Sequence, residues 1–151
     1  PFMIAFAMAF ELHISWMGKH TLFEGPFGSF MRWLGGIPVF RGERSGMVED
    51  MAKLFAEREE LVLAIAPEGT RGRADHWKSG FYHLARAAGV PLALGYIDYP
   101  RREVGVGAYL ELTGDRAGDM ARLRAFYAGK RGRHPANQGP VRLRDERPAE
   151  R

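Results

Sequence analysis

The most constraining feature of this chain is a predicted amphipathic helix followed directly by a short, unbroken run of apolar residues. The helix covers residues 46–60, with Ser45 at the position of its N-cap. The run Leu61–Ile65 contains no polar residue, which is typical of a strand buried on both faces of a parallel sheet. The pair therefore predicts one helix-to-strand step of an α/β fold. The apolar stripe of the helix consists of Met47, Met51, Leu54 and Phe55.

The same alternation of helices and strands continues on both sides of this step. Apolar residues at helical spacing predict helices, and short alternating or continuous apolar runs predict strands. We therefore expect an α/β fold in which a mostly parallel, mixed sheet is flanked by helices. The remaining predicted helices cover residues 1–12, 27–34, 78–88 and part of 114–129, and the remaining strands cover 13–18, 37–40, 90–97 and 104–112.

Composition limits the kind of protein further. The 151 residues suit one folded domain, and the hydrophobic fraction of 46% argues against disorder. There is no cysteine, which excludes disulfides and thiolate zinc sites. The net charge of +4 is uneven, because residues 116–151 hold 10 Lys and Arg against 4 Asp and Glu. Since residues 131–151 are rich in Arg, Pro and Gly, we predict a domain over 1–130 and a basic, loosely held tail after it.

The segment after the buried strand carries the most distinctive chemistry. Residues 66–73 read Ala-Pro-Glu-Gly-Thr-Arg-Gly-Arg and follow the end of strand 61–65, where α/β sheets bind ligands. Arginine suits two-point contact with phosphate, and glycine lets backbone N–H groups approach an anion closely. A solvated turn with a Glu–Arg ion pair explains the composition equally well. Arg41 follows the predicted strand 37–40 in the same way. It is either a second residue that binds an anion or a surface residue after the end of a helix.

Three motifs in order give the chain a family resemblance. They are Gly35-Gly-Ile-Pro-Val-Phe-Arg41, Pro67-Glu-Gly-Thr-Arg71 and Val90-Pro-Leu92. Their order and spacing resemble the second, third and fourth blocks of the PlsC-type acyltransferases, the 1-acylglycerol-3-phosphate acyltransferase family. The segments Trp16–Phe23 and His76–Tyr82 also resemble a small bacterial branch of that family.

The resemblance implies a glycerol-3-phosphate acyltransferase-like fold and a role in phospholipid biosynthesis. A fatty acyl group would pass from acyl-CoA or acyl-carrier protein to the hydroxyl of a lysophosphatidate-like acceptor, with no cofactor and no metal. The expected setting is the cytoplasmic face of a membrane, with the protein peripheral or monotopic. Cations would hold the acceptor phosphate, and a short loop would shape its site. The implied cations are Arg41, Arg71 and Lys19, and the implied loop residues are Glu68, Gly69 and Thr70.

The family's catalytic pair, a His followed five residues later by an Asp, does not occur in this sequence. None of the five histidines has an acidic residue at that distance. The apolar start of the chain, residues 1–10, has no capping residue and is shorter than the ~20 residues of a membrane span. We therefore expect the pair immediately upstream of Pro1. A catalytically inactive lipid- or phosphate-binding module of the same fold is the alternative.

Two expectations about partners complete the sequence analysis. Apolar side chains of residues 1–12 and of Phe27, Phe30, Met31 and Trp33 form either a lipid-facing surface or part of the core. The basic residues after Asp115 either attract anionic headgroups or form a solvated helix face. No nucleic-acid partner is expected, because the aromatic residues follow core spacing and form no stacking platform.

Overall fold

The computed structural model describes residues 13–39, 44–70 and 72–146, except for the side chains of residues 44 and 45. The chain divides into two compact units, Pro1–Ile65 and Ala66–Arg151. The helix predicted over residues 1–12 lies outside the described residues. Among the described residues, no helix combines the length and the hydropathy that a membrane crossing requires.

The first unit contains a three-stranded parallel sheet in the order β2-β1-β3. A helix separates each strand from the next along the chain, because parallel strands need a long crossover connection. This arrangement confirms the predicted α/β fold. The elements are β1 (Ile14–Lys19), α1 (Gly28–Trp33), β2 (Gly36–Val39), α2 (Arg44–Glu57) and β3 (Val62–Ala64), with a 3-10 turn at His20–Leu22 after β1.

The strand register brings the carboxyl ends of this sheet to one edge. Lys19 at the end of β1 lies beside Val39 at the end of β2, and Trp16 lies beside Ala64 of β3. The Trp16 indole N–H donates to the carbonyl oxygen of Leu34 at 3.0 Å and its ring lies 5.8 Å from that of buried Phe23. These contacts fix α1 and the turn after β1 against the strands.

The second unit contains a two-stranded antiparallel sheet and two helices. Its helices place Phe81, Leu84, Met120 and Leu123 in the interior. Asp115 caps the second helix by accepting a hydrogen bond from the backbone N–H of Gly118 at 3.2 Å. The elements are α3 (Gly80–Ala88), β4 (Leu92–Asp98), β5 (Glu103–Leu110) and α4 (Arg116–Tyr127), followed by a 3-10 turn at Pro135–Asn137.

A fully buried carboxylate, Asp119, connects the elements of this unit. It accepts hydrogen bonds from the Tyr82 hydroxyl at 2.8 Å, from Thr113, from the N–H of Gly114 and from Arg122. Burial by itself raises the pKa of Asp119, but these donors outweigh it and hold the pKa well below the usual range. The ionised carboxylate therefore stabilises the packing of α3 against α4.

The segment after α4 makes specific contacts with the second unit. Leu143 is completely buried, and its backbone forms an isolated parallel bridge with Trp77. Asp145 and Glu146 accept hydrogen bonds from Arg116 and Arg124 of α4. The division into a domain over 1–130 and a tail over 131–151 stays a prediction, but residues 134–146 have defined neighbours.

Candidate functional site

The candidate site lies in the loop of residues 66–78, at the start of the second unit. We call this loop the motif loop. Three hydrogen bonds shape this loop. The N–H of Gly69 donates to the carbonyl oxygen of Ala66 at 3.1 Å, and the N–H of Gly72 donates to the Thr70 hydroxyl at 3.2 Å. The N–H of Lys78 returns to the carbonyl oxygen of Pro67 at 2.8 Å. The loop is therefore a closed structure with two successive turns.

Two observations show how glycine fits position 69. Its φ angle is +63°, in the left-handed region that other residues enter only with strain. A Cβ atom at this position would also lie 2.5 Å from Nζ and 2.8 Å from Cε of Lys78. The lysine side chain thus lies directly on the glycine of the Glu-Gly-Thr-Arg motif. The loop carries a positive charge that packs against its own backbone.

Sequence reasoning missed Lys78 as a site residue, although the residue belongs to the quoted segment His76–Tyr82. No local pattern indicates that a lysine nine residues after Gly69 folds back onto it. The contact follows from the shape of the loop. The Lys78 N–H donates to the Pro67 carbonyl oxygen, and this bond brings the residues just before α3 beside the motif.

Glu68 is half-buried and faces the end of α4. Burial raises the pKa of Tyr127 to about 12, and the negative charge of Glu68 contributes to this shift. The Tyr127 hydroxyl donates to the carbonyl oxygen of Gly95 at 3.0 Å, and its ring meets that of Trp77 edge-on at 5.6 Å. The Glu68 carboxylate thus lies close enough to Tyr127 of α4 for its charge to act on the phenol.

The three predicted cations are placed as follows. Lys19 is the last residue of β1 in the first unit and is exposed. Arg41 and Arg71 lie outside the described residues. In the sequence, Arg41 comes two residues after Val39, the last residue of β2. Of the predicted loop residues, Glu68, Gly69 and Thr70 lie together in the turn described above.

Comparison with known proteins agrees with these motifs. A sequence model of the Acyltransferase family matches residues 1–97. The chain belongs to the Acyltransferase family. It is also 34% identical over 83 residues to 1-acyl-sn-glycerol-3-phosphate acyltransferase of Escherichia coli strain K12. That match covers 50% of this acyltransferase chain but only 34% of the E. coli protein, and no solved structure matches. The PlsC-type resemblance of the motifs is thereby confirmed.

A His–acid contact in this acyltransferase chain lies at the surface. Nε2 of His20 is 3.8 Å from Oε1 of Glu24, whose side chain is 68% exposed. The two residues are four apart in and after the 3-10 turn. An exposed carboxylate at this distance holds an imidazole weakly, which fits a surface pair.

Helix α1 and the residue before it carry three exposed aromatic side chains, which we call the aromatic patch: Phe27, Phe30 and Trp33. They are spaced three residues apart, and the rings of Phe30 and Trp33 stack at 5.8 Å. Phe27 is 70% exposed and Trp33 is 77% exposed. Three exposed aromatic side chains within seven residues favour a surface that binds a partner.

Three basic residues of the second unit, Arg122, Arg124 and Lys130, have partners inside the unit. Arg122 binds Asp119, and Arg124 binds Glu146 at 3.1 Å. The Lys130 ammonium lies 4.1 Å from the centre of the Tyr96 ring, in a cation–π contact. These three residues therefore stabilise the unit.

Proposed function

We propose that this protein transfers a fatty acyl group from acyl-CoA or acyl-carrier protein to the free hydroxyl of a phosphate-bearing lysolipid such as lysophosphatidate. Family membership supports acyl transfer, and the name of the E. coli relative supports this acceptor class. The observation that carries the proposal is the closed motif loop with the Lys78 ammonium packed on Gly69. A phosphate requires a nearby cation, and this loop holds the Lys78 ammonium on the glycine of the motif.

The reaction moves one acyl group directly from the sulfur of the thioester to the oxygen of the acceptor hydroxyl. A general base removes the proton of the acceptor hydroxyl as its oxygen attacks the thioester carbonyl carbon. The carbon–sulfur bond then breaks, and the departing thiolate receives the proton from the protonated base. We propose that a His-x-x-x-x-Asp pair upstream of Pro1 supplies this base, with the Asp orienting the imidazole.

In this proposal, residues of this chain bind the acceptor. We propose that Arg41 and Arg71 grip the phosphate by two-point contacts, with Lys19 as a further cation. Lys78 belongs to the same loop as Arg71, and we propose that it adds a second cation there because the loop already positions its amine. Glu68, Gly69 and Thr70 shape the site beside the glycerol portion. Binding of the remote phosphate orients the hydroxyl for attack, which converts binding energy into rate.

The acceptor is a membrane lipid, and we propose that the protein reaches it from the cytoplasmic face as a peripheral or monotopic protein. The aromatic patch supports a lipid-facing surface, since Trp and Phe side chains favour the boundary between water and lipid. Exposed Lys19 and Arg32 lie in the same unit and favour anionic headgroups.

A second candidate is a lipid- or phosphate-binding module without catalysis. The sequence supports it in one respect, because no histidine here has an acidic residue five positions later. The two candidates share the acceptor site and differ only in turnover.

The test is thioester release by the full-length protein with lysophosphatidate as acceptor. Arg71→Ala should weaken the transition state by about 1.5–3 kcal/mol through the loss of a charge-assisted hydrogen bond, mainly by raising the KM for lysophosphatidate. Lys78→Met should act in the same direction but less, because its side chain is exposed. Lys53→Met, an exposed lysine on α2, is the matched control.

Release that does not depend on the acceptor would contradict acyl transfer. Binding of lysophosphatidate without turnover would establish the inactive module. If Arg71→Ala and Lys53→Met have the same KM as the unaltered protein, the loop does not hold the acceptor.

A further inference from the structure

Residues 134–146, which we call the C-terminal segment, lie along the second half of the motif loop. Nη1 of Arg73 donates to the carbonyl oxygen of Ala136 at 3.3 Å. Further on, the N–H of Trp77 donates to the carbonyl oxygen of Arg142 at 2.7 Å. The C-terminal segment therefore contacts the loop at both ends of the stretch 73–77.

Between these contacts the two backbones approach each other closely. A Cβ atom added at Gly139 would overlap the carbonyl oxygen of Ala74 and would come within 3.0 Å of its carbonyl carbon. Because both partners are backbone, neither can rotate away as a flexible side chain would. Any larger residue at position 139 must displace the C-terminal segment or the loop.

The opposite side of the C-terminal segment is attached to α4. Leu143 is completely buried, and its N–H donates to Oε2 of Glu146 at 2.7 Å. Glu146 also accepts from Arg124 of α4 at 3.1 Å, and Asp145 accepts from Arg116 at 2.6 Å. A buried anchor and two ion pairs thus connect the segment to a rigid helix.

Two consecutive backbone amides connect the C-terminal segment to the motif. The N–H of Trp77 binds the C-terminal segment, and the N–H of the next residue, Lys78, binds the carbonyl oxygen of Pro67. Lys78 in turn lies on Gly69. The position of the motif turn therefore depends on where the C-terminal segment holds residue 77.

We propose that the C-terminal segment is a positioning element for the acceptor site, with Gly139 as its critical residue. The proposal rests on the proposed function, since the site it positions is the phosphate-binding loop. It goes beyond the family match, which ends at residue 97. The segment fixes the loop in its binding geometry before the acceptor arrives, so that less ordering is required on binding.

The test compares Gly139→Ala with Gly132→Ala in the full-length protein. The two substitutions add the same methyl group to nearby glycines, but a Cβ at Gly132 has no neighbour within 4 Å. Hydrogen exchange of residues 66–78 is measured first. We expect at least tenfold faster exchange of the Trp77 and Lys78 amides in Gly139→Ala and unchanged exchange in Gly132→Ala.

Kinetics then separate positioning from general stability. We expect Gly139→Ala to raise the KM for lysophosphatidate about five- to thirtyfold while kcat and the KM for the acyl donor change less than twofold. Gly132→Ala should match the unaltered protein. A fall in kcat at constant acceptor KM, or exchange at 66–78 that stays unchanged in Gly139→Ala, would overturn the proposal.

A second, milder variant keeps the test informative if Gly139→Ala does not fold. Glu146→Ala removes the acceptor for Arg124 and for the Leu143 amide without adding bulk. It should also accelerate exchange at 66–78, and unchanged exchange there would overturn the proposal. Hydrogen exchange can be measured without turnover. If the unaltered protein does not transfer acyl groups, the proposed function is refuted. The exchange results then decide by themselves whether the C-terminal segment positions the loop.

Discussion

Replacing Gly69 by alanine tests the motif loop most directly, because the structure gives two separate reasons why the substitution should disturb the loop. The φ angle of +63° places a non-glycine residue in the left-handed region, which costs about 1–2 kcal/mol. The added Cβ would also lie 2.5 Å from Nζ of Lys78, so the lysine must move off the turn. Moving a flexible side chain end adds little to the folding cost, but it removes the cation from its place on the motif.

The assay is the dependence of thioester release on lysophosphatidate concentration in the full-length protein. If the strain lowers the population of the binding-competent loop, Gly69→Ala raises the acceptor KM by roughly 5- to 30-fold, since about 1.4 kcal/mol corresponds to tenfold. Gly72→Ala is the matched control, because its Cβ would meet only the Thr70 hydroxyl, at 3.9 Å. Equal KM values for the two variants would refute the reasoning.

Two further predictions concern the buried carboxylate and the aromatic patch. Asp119→Ala should lower the free energy of unfolding by about 3–5 kcal/mol in urea denaturation. Tyr82→Phe removes only one of the hydrogen bonds to Asp119 and should lower it by about 1 kcal/mol. Equal losses in the two variants would contradict the hydrogen-bond network. Because the folded pKa of Asp119 is lowered, its stabilisation is complete above about pH 4 and is lost as the pH falls further, so the variant should lose less stability than the unaltered protein on acidification. Trp33→Ala should reduce sedimentation with vesicles of phosphatidylcholine and phosphatidylglycerol roughly tenfold, since burying a large apolar side chain contributes about 1.5–3 kcal/mol. Tyr109→Ala, a 75% exposed aromatic residue of the other unit, is its control, and equal losses would argue against the patch.

Local sequence signals predicted the secondary structure well. The helix expected over 46–60 is found at Arg44–Glu57, and the strand expected over 61–65 is found at Val62–Ala64. The helix ends earlier than predicted, before the charged run Arg58-Glu59-Glu60. Two acidic residues oppose the negative end of a helix dipole and bring no apolar side chain to the core.

Contacts between distant residues were not predictable in the same way. The Glu-Gly-Thr-Arg motif identified the loop, but nothing local placed Lys78 on Gly69 or Glu68 towards Tyr127. The basic composition after residue 130 favoured a tail, yet it says nothing about the burial of Leu143. Such contacts depend on how separate elements pack, and hydrophobic periodicity does not encode that.

The backbone contact between Trp77 and Arg142 has a consequence for synthesis on the ribosome. Chains emerge from the amino end, so the motif loop leaves the ribosome about 65 residues before its partner, a few seconds earlier at typical elongation speed. Until residue 143 has been synthesised, the Trp77 amide and the apolar surface that receives Leu143 stay without their native partners. A premature stop codon between residues 97 and 134 would leave every family motif intact and still yield a product whose motif loop never acquires its native support.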